Sequence, residues 1–271
     1  MPERPLPRIL SAIRATKEKE VALLLAKRSG PEWLSRARER LTTDRPRNFL
    51  AAVSAKSAGM RLIAEVKRAS PSKGVIRKDF DPAVLAAAYE RGGAAAISCL
   101  TDATYFQGSL EDLAHVRRAS RLPVLRKDFL IHLAQVAEAR LAGADAVLLI
   151  ARMLSLEMLE SLLALARELR MTPFTEIHDE NDLAKALAVK APLIGINNRD
   201  LETFQVDIET THRLRPKIPL SIPVVAESGI ATPEDMRRLA RDGISAALVG
   251  ESLLRQRDVE AAVRALLSFP I

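Results

Sequence analysis

The chain holds one cysteine, Cys99, and one tryptophan, Trp33, in 271 residues, and aromatic side chains make up only 4% of it. A single cysteine excludes an internal disulfide and fits a reducing compartment. Cys99 lies inside an apolar run and reads as a small buried hydrophobe, not a nucleophile. No apolar run is long enough to cross a bilayer. The first five residues are charged and proline-rich, with no signal-peptide core behind them. A cytoplasmic protein with no membrane partner is expected. His115, His132, His178 and His212 are scattered, without the His/Cys/Asp clustering a metal needs, so each is given a surface or supporting role.

Few aromatics also constrain the reading of charge. Residues 1–80 carry 19 Lys and Arg against 8 Asp and Glu, within a net charge of +7. An excess of this kind suggests an anionic partner. Single-strand nucleic-acid modules interleave cations with stacking aromatics. Here the basic part offers only Trp33, Phe49 and Phe80, so a small phosphorylated or carboxylated substrate is favoured over nucleic acid.

Two helices are expected at the start, over 7–28 and 31–41, separated by the stop-and-restart signal Ser29–Gly30–Pro31. Ile9, Ile13, Leu23 and Leu24 give the first an apolar side, suited to packing on a larger body. From residue 60 onward, short apolar runs recur at 61–66, 94–100, 122–126, 145–150, 171–176, 192–196, 222–227 and 245–249. Helical patterns fill the gaps, among them 82–91, 110–119, 130–142, 156–170, 181–189 and 234–241. Asp81–Pro82 and Thr232–Pro233 look like caps ahead of a first-turn proline, and Gly92–Gly93, Gly143 and Gly243 like helix ends. Eight strand–helix units in about 210 residues are what a (β/α)8 barrel requires. An open doubly wound sheet is the alternative, but its Gly-x-Gly-x-x-Gly turn is missing after the first strand. Pro173 sits awkwardly in the fifth run because proline removes a ladder donor.

Barrel enzymes carry their chemistry at the C-terminal ends of the strands. Read in order, those positions are polar: Glu65, Lys67 and Ser70, then Arg126–Lys127–Asp128, Thr175–Glu176–Ile177–His178, Asn197–Asn198–Arg199, Glu227–Ser228–Gly229 and Gly250–Glu251–Ser252. Glu65 and Lys67 are two apart and share one strand face. Two opposite charges on a buried strand face are costly unless they have work to do. The glycines after strands seven and eight leave backbone amides open to a phosphate. Lys67 and Lys127 with Glu65, Glu176 and Glu227 suit acid–base work, and a desolvated lysine of lowered pKa could also form a Schiff base.

These blocks resemble the indole-3-glycerol phosphate synthase family of tryptophan biosynthesis. The resemblance is carried by Ile63-Ala64-Glu65-Val66-Lys67-Arg68-Ala69-Ser70-Pro71-Ser72-Lys73-Gly74, by Leu100-Thr101-Asp102 with Tyr105-Phe106-Gln107-Gly108-Ser109, and by Pro123-Val124-Leu125-Arg126-Lys127-Asp128-Phe129. Thr175–Glu180, Gly195–Leu201, Ala226–Ile230 and Leu248–Gly250 continue it. It implies an N-terminal helical extension over 1–45, a catalytic barrel over 46–271, a monomer or homodimer, and a carboxy-lyase with no metal or organic cofactor. The implied substrate is 1-(o-carboxyphenylamino)-1-deoxyribulose 5-phosphate. By the family pattern Lys127 is the general acid of ring closure and Lys67 steers the anionic groups and donates in dehydration. Glu176 stabilises the cation or acts as base, with Glu65 a second acid–base group and Glu227 in support. Asn197, Arg199 and Ser70 orient the substrate, Phe106, Phe129 and Leu148 wall the aryl ring, and Ser228, Gly229, Gly250 and Glu251 hold the phosphate. Glu251 departs from the pattern, since a small hydroxyl residue is frequent there and a carboxylate repels phosphate unless it turns away. The rivals are other phosphate-binding barrels of the pathway, such as phosphoribosylanthranilate isomerase or the tryptophan synthase α subunit, a Schiff-base aldolase, and a basic RNA- or partner-binding protein.

Overall fold

The computed structural model describes residues 6–54, 60–71, 73–77, 79–200 and 202–269. The charged residues 1–5, Ser72 and Leu201 lie outside them. The expected strands are β1 (Arg61–Val66), β2 (Ala96–Leu100), β3 (Val124–Lys127), β4 (Ala146–Ile150), β5 (Thr172–Ile177), β6 (Ile194–Asn197), β7 (Val224–Glu227) and β8 (Ala246–Val249). Each pairs in parallel with its neighbour, and β8 closes on β1 with Ile63 opposite Leu248. Closure rules out the open sheet. Side chains alternate between the barrel interior and the helical shell, which puts Glu65, Lys127, Glu176, Asn197 and Glu227 inside at the C-terminal rim.

Local chemistry sets the helix boundaries. Asp81 accepts from the amides of Ala83 and Val84, and Thr232 and Asp235 form a reciprocal box. The helix expected over 130–142 starts at Leu133, because the His132 ring accepts from the Ala134 amide at 3.1 Å and caps it there. Pro173 does lie within β5. Thr172 donates to Asp145 on the β4 side, and the ladder to β6 begins only at Thr175, which donates to Leu193. In a parallel strand successive residues bond to alternate neighbours, so Pro173 falls where β6 has not yet begun and no bond is lost.

The two leading helices are α1 (Arg8–Lys27) and α2 (Gly30–Thr43), the latter capped by Ser29 with Glu32 reaching back. Leu23 points to solvent, so the expected stripe is corrected: α1 buries Leu10, Ile13, Lys17, Val21 and Leu24. That row has helical spacing with a lysine in its middle. Lys17, 1% exposed, reaches Asp102 at 2.7 Å and Asp128 at 2.8 Å, anchoring α1 beside the ends of β2 and β3. A third helix, α3 (Phe49–Ser54), had no strong sequence signal. It approaches the opposite end of the barrel, where Phe49 meets Phe174 with ring centroids 6.5 Å apart and the Leu50 amide bonds Thr172.

Candidate active site

A cavity of about 650 Å³ opens at the C-terminal ends of the strands. Every residue given a role through the resemblance lines it, including Ser70, Phe106, Phe129, Leu148, Arg199 and Glu251, whereas the strand-end residues Arg126, Thr175, Ile177, His178 and Asn198 lie outside its lining. At its floor the Lys127 ammonium lies 3.0 Å from Glu176 Oε2 and 2.5 Å from Glu227 Oε2, joining β3, β5 and β7. Lys67 pairs with Glu65 at the end of β1. Asn197 donates to Glu176 Oε1 at 3.2 Å, and its own oxygen accepts from Ser228 Oγ at 2.9 Å and the Arg199 amide at 3.0 Å.

One ammonium facing several buried carboxylates leaves an uneven charge distribution. Burial opposes the charge on Lys127, but Glu176, Glu227 and Glu65 outweigh it and hold its pKa above that of an ordinary lysine. The expectation of a lowered lysine pKa is therefore corrected. Lys127 is an ammonium, suited to donating a proton and unsuited to attacking a carbonyl as a free amine. Burial also opposes charge on Glu176, yet Lys127 and His178 keep its carboxyl below the usual range. Burial dominates at Glu227, with repulsion from Glu176 and Glu65 beyond what Lys127 offsets, and its carboxyl is pushed up to about 7.

Space for these groups depends on two glycines. A Cβ on Gly195 would stand 2.4 Å from Glu227 Oε1 and 2.6 Å from the Phe174 ring. One on Gly250 would stand 2.4 Å from Glu65 Oε1, so Gly250 has a packing role besides any contact with a ligand. Ser228 and Gly229 both have positive φ, 69° and 81°. That conformation is uncommon for serine, and the bond from Ser228 to Asn197 helps to hold it. Glu251 does not confront the cavity alone, because its Oε1 accepts from Arg255 Nε at 3.0 Å and Nη2 at 2.8 Å.

The apolar part contains Phe106 and Phe129, with ring centroids 6.1 Å apart, and buried Leu148. Ile9, Leu10 and Ile13 of α1 share this lining. Sequence reasoning missed them, along with Gly195, Arg255 and the position of His178. Arg255 was detectable as the i+4 partner of Glu251; the α1 residues depend on where that helix docks. Of the other histidines, His132 caps a helix, His212 pairs with Asp242, and His115 is exposed near Glu111. Cys99 is buried, and burial pushes its thiol up.

The model of the family described as indole-3-glycerol phosphate synthase matches residues 10–266. A protein of that name from Desulfotalea psychrophila is 48% identical over 91% of this chain and 94% of its own length. Another, from Chromobacterium violaceum, is 48% identical over 95% of this chain and 97% of its own. A mutant tryptophan synthase alpha-subunit from Pyrococcus furiosus superposes with a TM-score of 0.60 at 15% identity, covering 78% of this chain and 99% of that one, a likeness of fold alone. The chain belongs to the indole-3-glycerol phosphate synthase family.

Proposed function

We propose that this chain closes the pyrrole ring of 1-(o-carboxyphenylamino)-1-deoxyribulose 5-phosphate and releases carbon dioxide and water, giving indole-3-glycerol phosphate, a step of tryptophan biosynthesis. The observation that carries the reading is the Lys127 ammonium held between Glu176 and Glu227 at the floor of a partly apolar cavity.

The aromatic carbon bearing the carboxylate attacks the ketone carbon, and Lys127 delivers a proton to the ketone oxygen as that bond forms. The ring nitrogen then carries positive charge, which ionised Glu176 stabilises in a site of low dielectric. Carbon dioxide leaves, and the electron pair of the broken bond restores the aromatic ring. For dehydration the new hydroxyl departs as water with a proton from Lys67, and a carboxylate takes the adjacent C–H proton. Glu227, with a pKa of about 7, is suited to that exchange, and Glu65 is the second candidate. Ser70, Arg199 and Asn197 orient the carboxylate and hydroxyls. Phe106, Phe129 and Leu148 hold the aryl ring, and Ser228, Gly229, Gly250 and Glu251, chiefly through backbone amides, receive the phosphate. A Schiff-base route is disfavoured because Lys127 stays protonated.

Mixing the protein with this substrate and following indole fluorescence tests the proposal. A rise that disappears in Lys127→Ala supports both reaction and acid. No rise from folded protein would overturn the reading.

A further inference from the structure

Glu176 and Glu227 are an unequal pair made from like parts. Each ends a barrel strand on the inner face, each is almost wholly buried, and each contacts the Lys127 ammonium. They differ in what lies beyond Lys127. Glu227 Oε1 has no hydrogen-bond partner among the described residues. Glu176 Oε1 receives Asn197 and faces His178, whose Nε2 is 3.3 Å away. The His178 ring is 4% exposed, and its Nδ1 stands 3.4 Å from Asp182 Oδ2. A neutral imidazole would turn a lone pair toward one of these two carboxylates, whereas an imidazolium offers a proton to both.

Neither ring nitrogen completes a hydrogen bond among the described residues, but the carboxylate across the ring is held firmly. Asp182 Oδ2 accepts from the His178 amide at 3.0 Å and from Arg152 Nε at 3.3 Å, while Arg152 Nη2 binds Asp179 at 2.7 Å. We propose that His178 is a positioning residue, a buried imidazolium that decides which carboxylate beside Lys127 keeps its negative charge, fixing it on Glu176 and leaving the exchangeable proton to Glu227. This rests on the acid–base reading of Lys127, Glu176 and Glu227 given above. The groups facing the ring are Glu176 from β5, Asp182 from the start of the next helix, and Arg152 from the turn after β4, with Asp179 bound to Arg152. Beyond Glu176 stand Lys127 and Glu227. Burial works against the imidazolium, but Asp182 and Glu176 prevail over it and over Arg152, and raise its pKa to about 9.

The test compares His178→Gln and Glu176→Gln with the parent enzyme, measuring kcat and KM from roughly pH 6 to 10 and thermal unfolding. His178→Gln is expected to fold and to lower kcat about ten-fold or more with KM little changed. Its acid limb should move up by about half a unit or more, since the carboxylate pair has lost a cation and holds its proton more tightly. The parent is expected to lose activity on the alkaline side as His178 deprotonates, and that loss should be absent from the variant. Full kcat and an unmoved acid limb in folded His178→Gln, beside an impaired Glu176→Gln, overturn this proposal while leaving the carboxylate reading intact. An unimpaired Glu176→Gln overturns both. NMR titration of the His178 ring in the parent enzyme covers a variant that fails to fold: protonation retained above about pH 8 supports the proposal, and an ordinary imidazole value near 6.5 overturns it.

Discussion

The Lys127 ammonium stands 2.5 Å from Glu227 Oε2, yet the other oxygen of that carboxylate faces Gly195 with no hydrogen-bond partner among the described residues. A buried acid satisfied on one side only is poorly stabilised as an anion, which accounts for a carboxyl pushed up to about 7. Its ordinary value is 4.5, so Glu227 gains its charge across the neutral range. If the ionised form takes the proton released in dehydration, which follows the loss of carbon dioxide, kcat should rise with pH through about 7. Glu227→Gln should remove that limb and cost about 100-fold in rate or more, in line with loss of a positioned base. A pH–rate profile on both proteins checks this, and a limb unchanged in Glu227→Gln would assign it elsewhere.

Gly195 bears on the same carboxylate from behind. A methyl there would meet Glu227 Oε1 at 2.4 Å and the Phe174 ring at 2.6 Å and 2.7 Å, distances that demand movement. Phe174 is fully buried and has little room to yield. Overpacking of this kind costs about 1–3 kcal/mol, and the displaced group would include the proposed base. Gly195→Ala is expected to lower the melting temperature and to reduce kcat more than KM changes. Normal turnover in Gly195→Ala would show that the position of Glu227 is not critical.

The barrel was readable because eight apolar runs alternate with capped helices and no Gly-x-Gly-x-x-Gly turn follows the first, and the strand-end charges pointed to the cavity floor. What stayed hidden depends on register and docking. Lys17 looks like one more cation of a basic helix until α1 is seated and the lysine faces Asp102 and Asp128. His178 was placed in a supporting role, but only the turn after β5 brings its ring to Glu176. Gly195 carries no signal of its own, since what it accommodates is a side chain from the neighbouring strand. Leu23 and Leu24 are indistinguishable by composition, and helix phase alone buries the second and exposes the first.

Lys17 also predicts a measurable link between α1 and the site. It is one helical turn from Ile13, which lines the cavity, and its partner Asp128 directly follows Lys127. Lys17→Met would take the lysine from buried Asp102 and leave Asp128 with Arg126 as its cation, a loss of about 3 kcal/mol, and should weaken activity by loosening that wall. The pH dependence has a definite sign. Burial opposes charge on Asp128, but Arg126 and Lys17 bring its carboxyl down to about 2, so its contribution is present above the ordinary 3.8 and disappears as pH falls through about 2. Burial likewise opposes charge on Lys17, yet Asp128 and Asp102 raise its pKa; its contribution is present below the ordinary 10.5 and is lost as pH climbs through the higher folded value. The stability gap between parent and variant should therefore be flat from about pH 4 to 10 and narrow outside that window. Denaturant unfolding across pH measures it, and a gap that varies strongly near neutrality would refute this account of Lys17.

Arg255 and Glu251 make the last case, because two substitutions together should do less harm than one of them alone. Both side chains are partly exposed, at 56% and 32%, and an ion pair so placed adds only about 0.5 kcal/mol to stability. Its consequence lies with the ligand. Glu251 and Arg255 both line the part of the cavity near Gly229 and Gly250, where the phosphate is proposed to bind. Removing the guanidinium in Arg255→Ala leaves a bare carboxylate beside a dianion, and like charges brought together in a partly enclosed site repel. KM should rise about ten-fold with kcat close to that of the parent, the mark of lost uniform binding. Adding Glu251→Ser removes the repelling charge and should restore part of the affinity, so the double variant binds substrate more tightly than Arg255→Ala. Steady-state kinetics on the three proteins decides the matter: equal KM values in the single and double variants would mean that the Glu251 carboxylate never faces the phosphate, and that Arg255 acts, if at all, as a direct ligand.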